Sequence, residues 1–212
     1  MDNRLKKLIE LTDFESLFKL YNHAFFVNGD YNVNIIGIRN LIDGTAHKND
    51  FNDALVMIYK VNGEWIKKVW EFTTDPGQTT LNAPSTSLGT AILVPGQYRG
   101  RYKIDLHNGK YKALCQRLGD VAVYRDNNKD QRLDFDPCTI KVGSFGINIH
   151  RAKDNAVTPL INGYSAGCQV FKDSQEFNEF MQILEKSEKL YGNKFTYTLI
   201  TSDMLSNCVY AR

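Results

Sequence analysis

The residues able to do chemistry gather in one stretch, SFGINIHRAKDNAVTPLINGYSAGCQVF, residues 144–171. A run rich in isoleucine delivers His150. After fourteen intervening residues come Ser165, Ala166, Gly167 and Cys168. A thiol and an imidazole are the minimum for nucleophilic catalysis by cysteine: the sulfur attacks a carbonyl while the ring takes the proton and later returns it. A cysteine between a glycine and a β-strand sits at a tight turn. There the Gly167 and Cys168 amides can point outward and hold an oxyanion. A His and a Cys this close arise by chance in many chains, so the weight falls on the Ser-x-Gly-Cys context.

The elements that must position this pair are mostly strands. Residues 54–61 and 64–73 flank Asn62-Gly63, and residues 101–107 and 110–116 flank Asn108-Gly109. Both pairs predict tight β-hairpins. Further strands are expected near 33–38, 90–95, 121–125, 144–150 and 195–200, with a loop over the Thr-, Ser-, Gly- and Pro-rich residues 73–89. Trp65 and Trp70 lie an odd number apart on one strand and so face opposite sides. Helix is expected in two places. Residues 1–30 form an N-terminal helical segment, with a Thr12/Glu15 capping box restarting the helix and Asn28-Gly29-Asp30 ending it. Near the C-terminus Asp173 and Glu176 start a helix whose buried stripe is Phe177, Phe180, Met181 and Leu184, with Gly192 as its stop. The class is mainly β (α+β), with one domain over 31–212 behind the helical segment.

Composition narrows the function classes. The 212 residues carry 26 Lys and Arg against 24 Asp and Glu, a net charge of +2. That balance gives no electrostatic case for nucleic acid. Mean hydropathy is −0.38, and no apolar run approaches the roughly 18 residues of a membrane span. The start, MDNRLKKLIELTDFE, shows no signal peptide. The expectation is therefore a protein made in the cytoplasm. Four cysteines without a CxxC argue against a zinc site or disulfide scaffold.

Residues 144–171 resemble the catalytic domain of the L,D-transpeptidase (YkuD-type) family. Its signature is a His, an interval of 14 to 17 residues, then Ser or Thr, His, Gly and Cys. Here His150, Ser165, Gly167 and Cys168 stand in that spacing. The resemblance implies a β-sandwich or half-barrel and a nucleophilic Cys168 that forms a thioester with peptidoglycan stem peptides. It implies His150 as the base, the Ser165 carbonyl orienting the imidazole, and Gly167 lending an amide. Transpeptidase, carboxypeptidase and endopeptidase outcomes differ only in what resolves the thioester. The resemblance implies no required cofactor and, with no export signal visible, action at the cell wall or periplasm by another route, as a bacteriophage lytic or virion-associated protein does. The chain departs from the family at Ala166, at Gln169 and Val170, and at Arg151 and Ala152. Ala166, Val170 and Arg151 favour a second reading, a non-catalytic virion or cell-wall binding module that keeps the fold, while the retained Cys168, His150 and Ser165 oppose it. A thiol peptidase on protein substrates is a third.

Elsewhere, Asp126, Asn128, Asp130 and Asp134 fit oxygen-ligand positions of a calcium loop, although Gln131 and Pro137 stand where an EF-hand has Gly and Glu. A short structural calcium loop and a solvated acidic hairpin tip both fit. His107, beside the Asn108-Gly109 turn, reads as a surface histidine. Pro95 to Tyr102 reads as a turn with two exposed arginines. His23 and His47 show no partner in the sequence.

Overall fold

The computed structural model describes residues 1–42, 45–46, 49–130 and 132–210; His47 and Gln131 lie outside them. In chain order the elements are α1 (Asn3–Leu11), α2 (Phe14–Leu20), β1 (Asn34–Arg39), β2 (Leu41–Ile42), β3 (Thr45–Ala46), β4 (Asp53–Val61), β5 (Glu64–Thr73), α3 (Gln78–Asn82), β6 (Thr90–Leu93), β7 (Gly96–His107), β8 (Tyr111–Gln116), β9 (Val121–Asp126), a 3-10 turn (Pro137–Thr139), β10 (Lys141–Gly143), β11 (Ile149–Arg151), β12 (Gln169–Phe171), α4 (Ser174–Tyr191), β13 (Phe195–Thr201) and α5 (Ser202–Tyr210). The chain is α+β. Eight strands close a barrel in the order β1-β13-β7-β8-β11-β12-β5-β4, and β10-β9-β6 form a separate sheet. The expected half-barrel or sandwich is thus corrected to a closed barrel. Closure comes from β1, which pairs parallel with β13 and antiparallel with β4.

Both Asn-Gly hairpins form. Asn62 and Gly63 have φ of 52° and 81°, and Asn108 and Gly109 have 50° and 69°, the left-handed pair that a two-residue hairpin needs. Strand periodicity sorts β4 between two clusters. Leu55, Met57 and Tyr59 pack with Phe177, Phe180 and Leu184 of α4. Ala54, Val56 and Ile58 face Leu5, Leu8, Leu17 and Phe18 of the two N-terminal helices. A strand buried on both faces shows no clean alternation, and the residues of β4 are nearly all apolar. Trp70 is buried and Trp65 is 44 % exposed, as their spacing requires.

The first helical segment is shorter than expected. The N-cap of α2 is Asp13, which accepts from Ser16 N at 3.2 Å, while Thr12 spends its hydroxyl on Leu8 O. The helix ends at Leu20 because Asn22 turns left-handed and His23 N returns to Phe18 O. Only residues 149–150 of the expected strand 144–150 are strand, within β11; the amides of Phe145 and Ile147 donate to the Gln116 side chain instead. The loop 73–89 holds α3, and the C-terminal half holds α5 besides α4. Asp173 caps α4, accepting from Gln175 N, and Gly192 ends it at φ 83°. Among the described residues no helix is long and apolar enough to cross a membrane.

Candidate active site

β11 and β12 run parallel, pairing Ile149 with Gln169 and His150 with Val170. The segment before β12 therefore lies beside the segment before β11, and Gln169 N donates to Asn148 O. That register sets the Ser165–Cys168 turn against Gly146–Asn148. Cys168 and His150 line one cavity of about 570 Å³. Its wall also includes His107, Asn148, Arg117 and Arg125.

The turn is built by Ser165, which is fully buried. Its hydroxyl donates to Cys168 O at 2.7 Å and accepts from Gly167 N at 3.2 Å. Its carbonyl accepts from Gly77 N and the Thr80 hydroxyl. The structure thus gives Ser165 a turn-forming role: its carbonyl is bonded to Gly77 and Thr80, and the Gly167 amide to its hydroxyl. Gly167 has φ 116°, and a Cβ there would meet Ala91 O at 2.4 Å, so only glycine fits. Gln169 ties the turn inward. Its amide donates to Thr74 O and Gly167 O, and its Oε1 accepts from Tyr197 at 2.8 Å.

His150 Nδ1 is 2.8 Å from Arg151 O. A carbonyl only accepts, so Nδ1 carries the proton and Nε2 holds the lone pair. The expected orienting carbonyl is that of Arg151 rather than Ser165. The ring stacks on His107, centroids 4.1 Å apart. Asn148 Oδ1 accepts from Gln116 N, so its amide nitrogen is the group 3.1 Å from His107 Nδ1. His107 Nε2 in turn lies 3.1 Å from the Asn108 side-chain amide nitrogen. Burial and the neighbouring His107 pull the His150 pKa down to about 3. Burial likewise lowers that of His107.

The Cys168 thiol donates to Gly146 O at 3.4 Å. Burial pushes its pKa up to about 11, against a smaller pull from the Asn148 backbone N–H. Among the described residues it forms no hydrogen bond with His150. At neutral pH the two are a thiol and an uncharged imidazole. All four cysteines are free thiols. Cys115 and Cys208 are buried and Cys138 is exposed, so Cys168 is the cysteine that a cavity serves.

His107, expected at the surface, is instead 9 % exposed and part of the wall. The signal was weak because it depends on β8 pairing with β11, at Leu114 and Ile149. The arginines of the cavity were also unforeseen, for they come from β9 and the end of β8. The Arg151 side chain leaves the site. It lies 4.1 Å over the Tyr111 ring and bridges Asp154 at 3.1 Å. Arg99 and Arg101 are exposed as expected, but the turn expected over Pro95 to Tyr102 is corrected: from Gly96 these residues are strand, the first half of β7, paired antiparallel with β13.

The calcium donor set fits a cation poorly. Asn128 Oδ1 and Asp130 Oδ1 accept from backbone amides, Asp126 Oδ2 accepts from Asp134 N, and Asn128 turns its amide nitrogen to Asp134. Those oxygens serve the loop rather than converge. Burial, with Asp134 and Asp130 nearby, raises the Asp126 pKa to about 6. Among the described residues no three metal-ligating side chains cluster. Compared with known proteins, the chain matches no family model, no curated protein and no solved structure.

Proposed function

We propose that Cys168 and His150 are the nucleophile and base of a cysteine-dependent enzyme acting on peptidoglycan stem peptides through a thioester. One observation carries this reading: a single cavity is lined by both the thiol and the imidazole, whose Nε2 lone pair is unprotonated. As the sulfur bonds to the peptide carbonyl carbon, the thiol proton passes to Nε2. The C–N bond then breaks, and the departing amine takes that proton. Water or a second stem's amine resolves the thioester and returns the thiol. With the Gly167 amide held by Ser165, the nucleophile's own amide, that of Cys168, donates to the oxyanion in this reading. The Arg151 carbonyl keeps the imidazole in its base tautomer. Such an enzyme works on the wall, in the manner of a phage lytic protein.

The test is mass spectrometry of sacculi after incubation. Cys168→Ala and His150→Ala each abolish fragment release while circular dichroism and the melting temperature stay close to wild type. Unchanged products from either variant discard the assignment.

The second reading, a binding module that keeps the fold, draws on a specific feature. The thiol is bonded to Gly146 O and pushed to about 11, with no thiolate to attack at neutral pH. Sacculus binding by wild type without any released fragment selects it.

A further inference from the structure

The cavity wall carries Arg117 and Arg125 and no carboxylate among its described residues. The two guanidiniums differ in what they already hold. Arg117 bridges Asp105 at 3.2 Å and donates to Gln116 O at 3.0 Å. Arg125, on β9, donates from Nη1 to Gly89 O at 3.1 Å and lies 4.6 Å over the Phe145 ring. Its Nε is buried without a partner. Among the described residues no ion pair reaches it. A buried donor is costly to leave unmet, and a cation in a wall without acids attracts an anion. Burial also pulls the Arg125 pKa below its usual value. Phe145 and the Gly89 carbonyl hold the guanidinium in place and leave Nη2, which bonds to no described residue, for a charge-assisted hydrogen bond with a carboxylate.

We infer that Arg125 recognises a free carboxylate of the peptide that enters the cavity, and so selects acidic peptide acyl donors. Naming that peptide as a stem peptide rests on the function proposed above; the carboxylate preference itself does not. The residue sits on a strand of the small sheet, apart from the thiol-bearing turn, and supplies selectivity rather than a proton.

The experiment uses full-length Cys168→Ala protein, so that binding is read without turnover. Calorimetry compares a soluble stem tetrapeptide with the same peptide amidated at every carboxylate, a change on the ligand side that spares the fold. Amidation is expected to weaken binding at least tenfold. Adding Arg125→Gln is expected to weaken binding of the free peptide equally and to erase the difference between the two peptides. Arg125→Lys retains part of the preference. Equal binding of both peptides, an unchanged preference in Arg125→Gln, or no binding of either peptide overturns the inference. Carboxylate-selective binding by a protein that releases nothing from sacculi keeps the inference and discards the catalytic reading. Turnover of sacculi with indifference to amidation does the reverse.

Discussion

At the residue scale the chemistry turns on protonation. His150 donates a hydrogen bond from Nδ1 to Arg151 O, and burial with the neighbouring His107 holds its pKa down to about 3. Cys168 keeps its proton up to about pH 11. A preformed imidazolium–thiolate pair would alkylate at a rate that levels off near neutral pH. Here the thiolate fraction grows about tenfold with each pH unit below its pKa. The rate of iodoacetamide labelling at Cys168, followed by peptide mass spectrometry in a Cys138→Ser background, is therefore expected to climb steadily from pH 7 to 10. A plateau below pH 8 contradicts the neutral pair. Catalysis at neutral pH then requires proton transfer to Nε2 during attack, as hydroxyl nucleophiles require.

At the element scale the site depends on how the nucleophile turn is anchored. Gln169 connects it to β13 through Tyr197 and to the chain after β5 through Thr74 O. The Tyr197 hydroxyl passes over Gly37 of β1, where a Cβ would sit 1.8 Å from it. Beneath lies a buried polar layer in which Arg39 pairs with Asp75 at 2.7 Å and Asp53 accepts from Asn40 N and Thr74 N. Burial and the nearby Asp75 raise the Asp53 pKa to about 7. Tyr197→Phe leaves Gln169 Oε1 without its buried donor, at a cost of about 1–3 kcal/mol. Urea unfolding should show that loss, with slower sacculus turnover as the turn loosens; an unchanged midpoint contradicts the anchoring role. The strands, hairpins and α4 were readable because period, Asn-Gly pairs and the Asp173 cap are local signals. The short strand β11 was overread, since Gln116 Oε1 accepts the amides of Phe145 and Ile147 and replaces the ladder there.

At the whole-molecule scale the N-terminal helices are part of the barrel's coat. Leu5, Leu8, Ile9, Phe14, Leu17 and Phe18 are buried against Ile36, Ile38, Val56 and Ile58. The Met1 amino group pairs with Glu71, and Arg4 reaches Asn40. Each such apolar side chain stabilises by about 1.5–3 kcal/mol as an upper bound. Their combined loss rivals the ~5–15 kcal/mol that holds a typical domain together. Removal of residues 1–22 is therefore expected to leave a chain without a cooperative melt and with bright dye binding to its exposed apolar face. A truncated chain that melts like the full one contradicts this and makes the segment a separable appendage.

The sequence by itself determined the mainly β character, both hairpins, the capped α4 and the separation of His150 from Cys168, because each depends on neighbours within a turn or two of chain. It also singled out the Ser-x-Gly-Cys turn, where Gly167 is the residue that the backbone requires. Tertiary structure alone decided the barrel closure through β1 and β13, the His107–His150 stack, the use of Ser165 on its own turn and the entry of Arg125 into the cavity wall. Those features depend on strands paired across long stretches of chain, such as β8 with β11. No local pattern specifies a partner at that distance; packing and backbone pairing select it only when the whole chain has closed.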